Sequence, residues 1–245
     1  MTTAKPRALL WPTVMTGVGL VILFGLGTWQ LERKAWKEGL LQRIAERSRA
    51  APQPVATLLP RALAGDDIEY TRIVARGHRI SRSLLLFHPR GTQAGYHVYS
   101  PYMTEDGRVL MVNRGFVPEA LSSGIETADL QPEAAVDLVG LLRMPARKGA
   151  FDPANDVQRN RWYWRDLAGM LRAARVETAP SFPFFLDLEA PQSRPPGTPA
   201  YPEAGATIVQ LPNRHLEYAL TWYGLAVTLI GVYLAFVLPK RASAT

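Results

Sequence analysis

Two uncharged apolar runs, one near each end of the chain, limit what the polypeptide can become. Ala8 to Trp29 holds 22 residues without a formal charge and Tyr218 to Leu238 holds 21. At about 1.5 Å per helical residue each run reaches roughly 30 Å, the thickness of a bilayer's hydrocarbon core. The overall share of hydrophobic residues, 47%, would describe an ordinary soluble protein if those residues were spread evenly. Their concentration at the two ends instead implies a span, a polar middle and a second span. The expected organisation is a membrane helix at 8–30, a β-rich domain at 31–214 and a membrane helix at 215–238.

A cleaved signal peptide is the competing reading of the first run, with Lys5 and Arg7 as its basic start. The run is too long for a typical signal core, and Trp29-Gln-Leu-Glu-Arg33 offers no small-residue cleavage site, so a retained anchor is expected. The short stretch ahead of the run leaves no room for a mitochondrial presequence, which points to a bacterial inner (cytoplasmic) membrane. Two spans put both termini on one side. Lys5, Arg7, Lys240 and Arg241 favour the cytoplasm for them, which leaves the central domain on the periplasmic side.

The net charge of +7 raises the question of nucleic acid, but the basic residues are dispersed and carry no recognised nucleic-acid motif; a surface facing anionic lipid suits the pattern better. The complete lack of cysteine excludes disulfides, thiolate catalysis and cysteine-based metal delivery. Metal chemistry is left to the four histidines, the methionines and carboxylates.

Leu31 to Arg49 contains no proline, so the first helix should continue out of the membrane, and Pro52, Pro54 and Pro60 should then break it. Segments 70–80, 84–87, 96–102, 109–113, 136–142 and 182–188 are rich in β-branched and aromatic residues and read as strands. Glu105-Asp-Gly-Arg108 is a hairpin turn joining 96–102 to 109–113, because Asp-Gly supplies the positive φ that a tight connection needs. Asp166 should open a short helix over 167–175, and the proline-rich segment 190–205 should be an extended connection. No convincing helix separates the strands. The fold class is therefore α+β, with two terminal membrane helices around a mainly antiparallel domain or small barrel.

The chain contains no glycine-rich phosphate loop, no His-Glu-x-x-His and no Gly-x-Ser-x-Gly, so nothing argues for an enzyme. His78, His88 and His97 could approach one another in a sheet or remain isolated histidines. Trp162, Tyr163 and Trp164 could stack on a ligand or fill a core, and Asn113 to Pro118 reads as a structural turn with Arg114 in an ion pair. His215 differs from these in its setting. Asn213 can cap the second apolar helix, which places His215 in the first turn, at headgroup depth, on a face shared with Tyr218, Ala219 and Trp222. A neutral imidazole there could donate a lone pair to haem iron while the aromatics pack on a macrocycle, or it could be an ordinary interfacial histidine. Glu217 could orient its ring or point to water.

Four blocks carry a resemblance: Gly27-Thr-Trp-Gln-Leu-Glu-Arg33 with Lys37; Gly95-Tyr-His-Val98 leading to Pro101; Asp106-Gly-Arg108 with Val112-Asn-Arg-Gly-Phe-Val-Pro118; and Asn213-Arg-His-Leu-Glu-Tyr-Ala-Leu-Thr-Trp-Tyr-Gly224. Their order and content resemble the Surfeit-locus (Surf/Shy) family of cytochrome c oxidase assembly proteins, bacterial type. Phe116 departs from the tryptophan expected after Arg-Gly and keeps the aromatic character. The resemblance implies a non-catalytic membrane chaperone that transiently binds haem a and aids its insertion into subunit I of the oxidase. In that reading His215 ligates the iron, Tyr218 and Trp222 line the cofactor, and Trp29, Arg33 and Arg114 meet partners. Subunit I, haem a synthase and membrane lipid are its candidate partners, and nucleic acid is not. A docking scaffold that stabilises an oxidase intermediate without touching haem is the rival reading.

Overall fold

The computed structural model describes residues 6–128, 134–190, 201–205 and 213–238. The sequence readings that rest on Lys5, Lys240, Arg241 and most of the proline-rich segment 190–205 lie outside the described residues, and the side chain of Arg7 does as well. The chain divides into two compact units, one made by Met1–Arg43 with Gln210–Thr245 and the other by Ile44–Val209.

The first unit is a pair of helices. Helix α1 runs over Pro6–Arg49 without a break at Arg33, as the lack of proline after the apolar run led us to expect. Its partner spans His215–Val237 and, taken in chain order, is α5. Both are long and apolar enough to cross a membrane, and almost none of their apolar surface is buried within the protein. This pattern is that of a membrane protein, since roughly 25 cal/mol for every Å2 of apolar surface would otherwise oppose it in water.

Small residues let the two helices approach, though not every glycine of the two helices takes part. A Cβ on Gly27 would meet the Tyr223 ring at 2.7 Å, and one on Gly19 would meet Leu229 Cδ2 at 2.9 Å. Ala219 and Ala226 are buried on the facing side of α5. Gly17, Gly25, Gly224 and Gly231 have open space where a side chain would stand, so they do not form the contact. Hydrogen bonds cross the seam from Thr28 Oγ1 to Tyr223 Oη at 3.1 Å and from Thr13 Oγ1 to Tyr233 Oη at 2.6 Å. Phe24 packs on Tyr223 with ring centroids 5.9 Å apart.

The second unit is built on a closed five-stranded barrel. Its strands, numbered in chain order, are β2 (Arg72–Arg79), β4 (Gly95–Thr104), β5 (Val109–Pro118), β6 (Val136–Arg143) and β8 (Ser181–Leu188). The order around the barrel is β2-β6-β8-β5-β4, and β4 returns to β2 through Gly77↔Thr104, His78↔Met103 and Arg79↔Tyr102. All pairs are antiparallel except β5 with β8. Closure at this seam needs Gly77, because a Cβ there would press on the carbonyl oxygen of Met103. The first half of β4 keeps its pairing with β5 and, on its other edge, pairs with β3 (Leu84–Phe87) instead of β2; β3 in turn carries β7 (Arg161–Trp162). The two-residue β1 (Gln53–Pro54) pairs with β2.

Strand β2 alternates buried and less buried residues along its first half, the period-two pattern of a sheet with one covered face. Ile73, Leu110, Val112, Leu138, Phe182, Phe184 and Leu186 fill the interior. The first helix ends at Arg49, ahead of the prolines expected to break it, but after the two-residue β1 the section that follows begins with a helix rather than a strand: α2 (Val55–Ala64) joins this core with Val55 and Leu58. Pro60 lies inside it and forfeits one backbone bond at a cost of about 3 kcal/mol. Burial of two large aliphatic side chains, each contributing about 1.5–3 kcal/mol, offsets that cost. Pro54 stands at the helix start, where no N–H is required, and Gly65 ends it in the left-handed conformation.

Three local readings agree with the structure. Asp106-Gly107 turns the hairpin between β4 and β5 with Gly107 at φ +74°. Asp166 caps α4 (Leu167–Ala173) by accepting from the Gly169 N–H at 3.0 Å. Trp162 is buried in a second core with Tyr99, Met170 and Phe185. Residues 122–128 form a short helix, α3, that no sequence signal suggested. Asn113 to Pro118 is not a turn, because β5 continues through it. Gly115, at φ +118°, lets the strand bend past Glu203, which pairs with Phe116.

Candidate functional site

The helix pair carries the strongest candidate. His215 is the first residue of α5, with Arg214 at the N-cap position. Asn213 does not cap the helix, contrary to expectation; its Oδ1 is buried without a hydrogen-bond partner. Arg214 Nε donates to Glu217 Oε2 at 3.0 Å. That ion pair occupies the carboxylate considered as an orienting group for the imidazole. The ring is instead held from the other helix, with His215 Nδ1 2.7 Å from Gln30 Oε1.

His215 is half-buried, Trp222 is half-buried further along the helix and Tyr218 is 53% exposed. A helical turn separates His215 from Tyr218 and another brings Trp222 round, so the half-buried imidazole and the two aromatics share one face of the helix. Trp29 is 52% exposed on α1, and the Arg33 guanidinium lies 4.0 Å from the centre of the Trp36 ring. Lys34 pairs with Glu38 one turn below. Arg114 belongs to β5, in the other compact unit.

Among the described residues there is no group of three or more His, Cys, Asp or Glu side chains that could hold a metal ion by themselves. A bare ion of the zinc type needs such a cage. Iron already chelated by a porphyrin needs only one or two axial donors, and a single well-oriented imidazole meets that demand. The donor set at His215 therefore fits a macrocycle-bound metal and does not fit a free one.

A second polar cluster lies within the barrel wall and draws one member from each of four strands. Asn113 Nδ2 faces both His97 Nδ1, at 3.1 Å, and Asp187 Oδ1, at 3.0 Å. Its Oδ1 accepts from the Gly115 N–H at 3.0 Å. Arg143 reaches Asp187 Oδ2 at 3.4 Å and Glu69 Oε1 at 3.1 Å. His97, Asn113 and Asp187 are all buried. Since Asn113 donates to Nδ1, the proton of a neutral His97 sits on Nε2, which has no partner. Burial, then the neighbouring His88 and the Arg90, Arg165 and Arg143 cations, lower the His97 pKa from 6.5 to about 3. The His88 ring stacks on His97 with centroids 4.2 Å apart, whereas His78 lies exposed on β2. Two of the three central histidines thus approach each other, His97 in a buried polar network and His88 exposed beside it, and no metal cage forms there among the described residues.

Phe116 is fully buried with the Arg90 guanidinium 4.3 Å from its ring centre, so the position asks for an aromatic face. Tyr163 is exposed, and Trp164 borders an open pocket of about 410 Å3 together with Lys148, Asn155 and Arg172.

Residues 18–227 match the model of the SURF1 family. The chain belongs to that family. The chain is similar to Surfeit locus protein 1 of Homo sapiens, 35% identical over 224 residues that cover 84% of this chain and 71% of the human protein. Surfeit locus protein 1 of Gallus gallus is 34% identical over 220 residues, 82% of this chain and 67% of its own. A SURF1-like protein of Monosiga brevicollis is 34% identical over 223 residues, 85% of this chain and 81% of its own. SURF1 proteins are oxidase assembly factors, so the sequence resemblance and the family match agree. The matched stretch contains both Gln30 and His215, the two residues that the helix pair brings together.

Gln30 is the site residue that sequence reasoning passed over. It stood in the quoted block between Trp29 and Arg33, but nothing local distinguishes a glutamine facing solvent from one that meets a side chain 185 positions away.

Proposed function

We propose that the chain is a non-catalytic, membrane-anchored assembly factor for cytochrome c oxidase that holds haem a transiently and aids its insertion into subunit I. His215 carries the proposal: it offers one half-buried, hydrogen-bonded imidazole at the start of an apolar helix, next to aromatic surface. When bound, haem a would supply an iron that accepts one nitrogen lone pair. The protein's own residues then hold and orient the ring: Gln30 by accepting from it, Tyr218 and Trp222 by apolar contact with the macrocycle face. A single axial donor suits a carrier, because a partner's histidine can replace it. Trp29, Arg33 and Arg114 are assigned to contacts with subunit I, with haem a synthase as the candidate donor of the cofactor and lipid around the helix pair.

The proposed setting is a bacterial inner membrane, with both termini cytoplasmic and the barrel on the periplasmic side. A reporter enzyme fused within the barrel unit tests this orientation, and activity only in the cytoplasm would overturn it.

The decisive experiment is a spectrum. The protein purified from cells that make haem a should show its absorption, and His215→Ala should lose it. Absence of haem a from the native protein, or equal amounts in the variant, would sink the carrier reading and leave a docking scaffold that stabilises an oxidase intermediate without haem.

A further inference from the structure

We infer that Gln30 is the positioning residue of the His215 site: by accepting a hydrogen bond at Nδ1, it fixes the imidazole tautomer and leaves the Nε2 lone pair as the only one available for a ligand. The inference rests on the haem-binding reading above and adds which nitrogen binds and what selects it.

A neutral imidazole has one N–H and one lone pair, and the bond made by one nitrogen decides the role of the other. A carbonyl oxygen can only accept. With Gln30 Oε1 2.7 Å from His215 Nδ1, the proton belongs on Nδ1 and the lone pair on Nε2. Outer partners of ligating histidines act in this way in metal sites generally, fixing the tautomer and the orientation of the ring. The donor-acceptor pair bridges two helices that share one compact unit, so the ring's rotation is restrained along with its protonation.

Among the described residues no other side chain is bonded to the ring. Glu217, the acidic side chain in the first turn of α5, is paired with Arg214. Asn213 lies two residues before His215, and its Oδ1 makes no hydrogen bond among the described residues. The inter-helix bonds of Thr28 and Thr13 go to Tyr223 and Tyr233, further along α5, and serve helix pairing rather than the imidazole. Gln30 alone among the described residues couples the pairing of the helices to the state of the histidine.

The test uses the full chain in detergent or nanodiscs. In the ligand-free protein, at a pH where imidazole is neutral, 15N-labelled histidine should show His215 protonated at Nδ1. Gln30→Ala should give a mixture of tautomers, and Gln30→Glu, whose carboxylate accepts the same bond, should restore the Nδ1–H form. Titration with haem a should show affinity reduced roughly 10- to 100-fold in Gln30→Ala and recovered in Gln30→Glu. Thr28→Val, which removes a different inter-helix bond, should leave both readouts at the wild-type level.

Protonation of the wild-type ring at Nε2 would overturn the inference. So would Gln30→Ala with unchanged tautomer and affinity, or Thr28→Val losing affinity to the same extent, since Gln30 would then act only by holding the helices together. Equal haem a binding by His215→Ala would instead remove the ligand reading of His215, while the ligand-free spectra still decide whether Gln30 sets the tautomer.

Discussion

Among individual residues, His97 shows how a histidine can look functional in sequence and turn out structural. It lies in a block shared with the family, beside His88, yet its Nδ1 is tied into a buried network with Asn113, Asp187 and Arg143. Its lowered pKa has a consequence for stability. Because the folded protein holds His97 neutral down to about pH 3 while the unfolded chain takes up a proton near 6.5, the contribution is fully present above about pH 6.5 and is lost as pH falls towards 3. Thermal unfolding midpoints followed across that window should decline for the native protein. His97→Gln, which cannot titrate but can still accept from Asn113, should flatten the slope. The acidic partner of the network is less forgiving. Asp187→Ala would leave Arg143 with Glu69 as its ion-pair partner and one buried Asn113 donor unpaired, at a cost of about 1–3 kcal/mol, read as a lower midpoint in denaturant. His97 and His215 each make one hydrogen bond, to Asn113 and to Gln30; they differ in that the free nitrogen of His97 is buried and carries the proton, whereas the half-buried His215 has its proton held on Nδ1 and keeps a lone pair on Nε2.

Among the elements, the helix pair and the small helix α2 were legible to different degrees. Both long helices could be read from uncharged length alone, because a bilayer-thick apolar run has few other stable fates. Which glycines touch could not. Helical periodicity supplies candidates on every side, and only the rotation of each helix about its axis chooses Gly19 and Gly27 over Gly17 and Gly25. Gly27→Val should therefore force the Tyr223 ring aside and cost about 1–3 kcal/mol. Gly25→Val meets open space and relieves the entropic cost of a glycine within a helix, so it should be neutral or slightly stabilising. Thermal unfolding of the two variants in one detergent compares them directly. Helix α2 was hidden because Pro60 carries a strong local signal against helix, and the compensating burial of Val55 and Leu58 comes from strands distant in sequence. The cap of α4 was legible for the opposite reason, since Asp166 and Gly169 make their bond within three residues.

For the whole molecule, the division into an apolar helix pair and a barrel unit predicts behaviour on extraction. The protein should stay with membranes through alkaline carbonate and high salt and come off only in detergent; release by salt alone would contradict the membrane reading. The amino-acid order determined the features that depend on near neighbours: two spans, six barrel or barrel-linked strands, the Asp106-Gly107 hairpin, and a histidine at the mouth of the second span. Each follows from rules that operate over one helical turn, one strand or one run of residues. Tertiary structure decided what depends on residues meeting across the chain. It closed the sheet through Gly77 and Met103, drew Asn113 into the barrel wall with Asp187 and His97, and set Gln30 against His215. A polar side chain carries no local mark of the partner it will find, because hydrogen bonds require ångström-scale placement that only packing supplies.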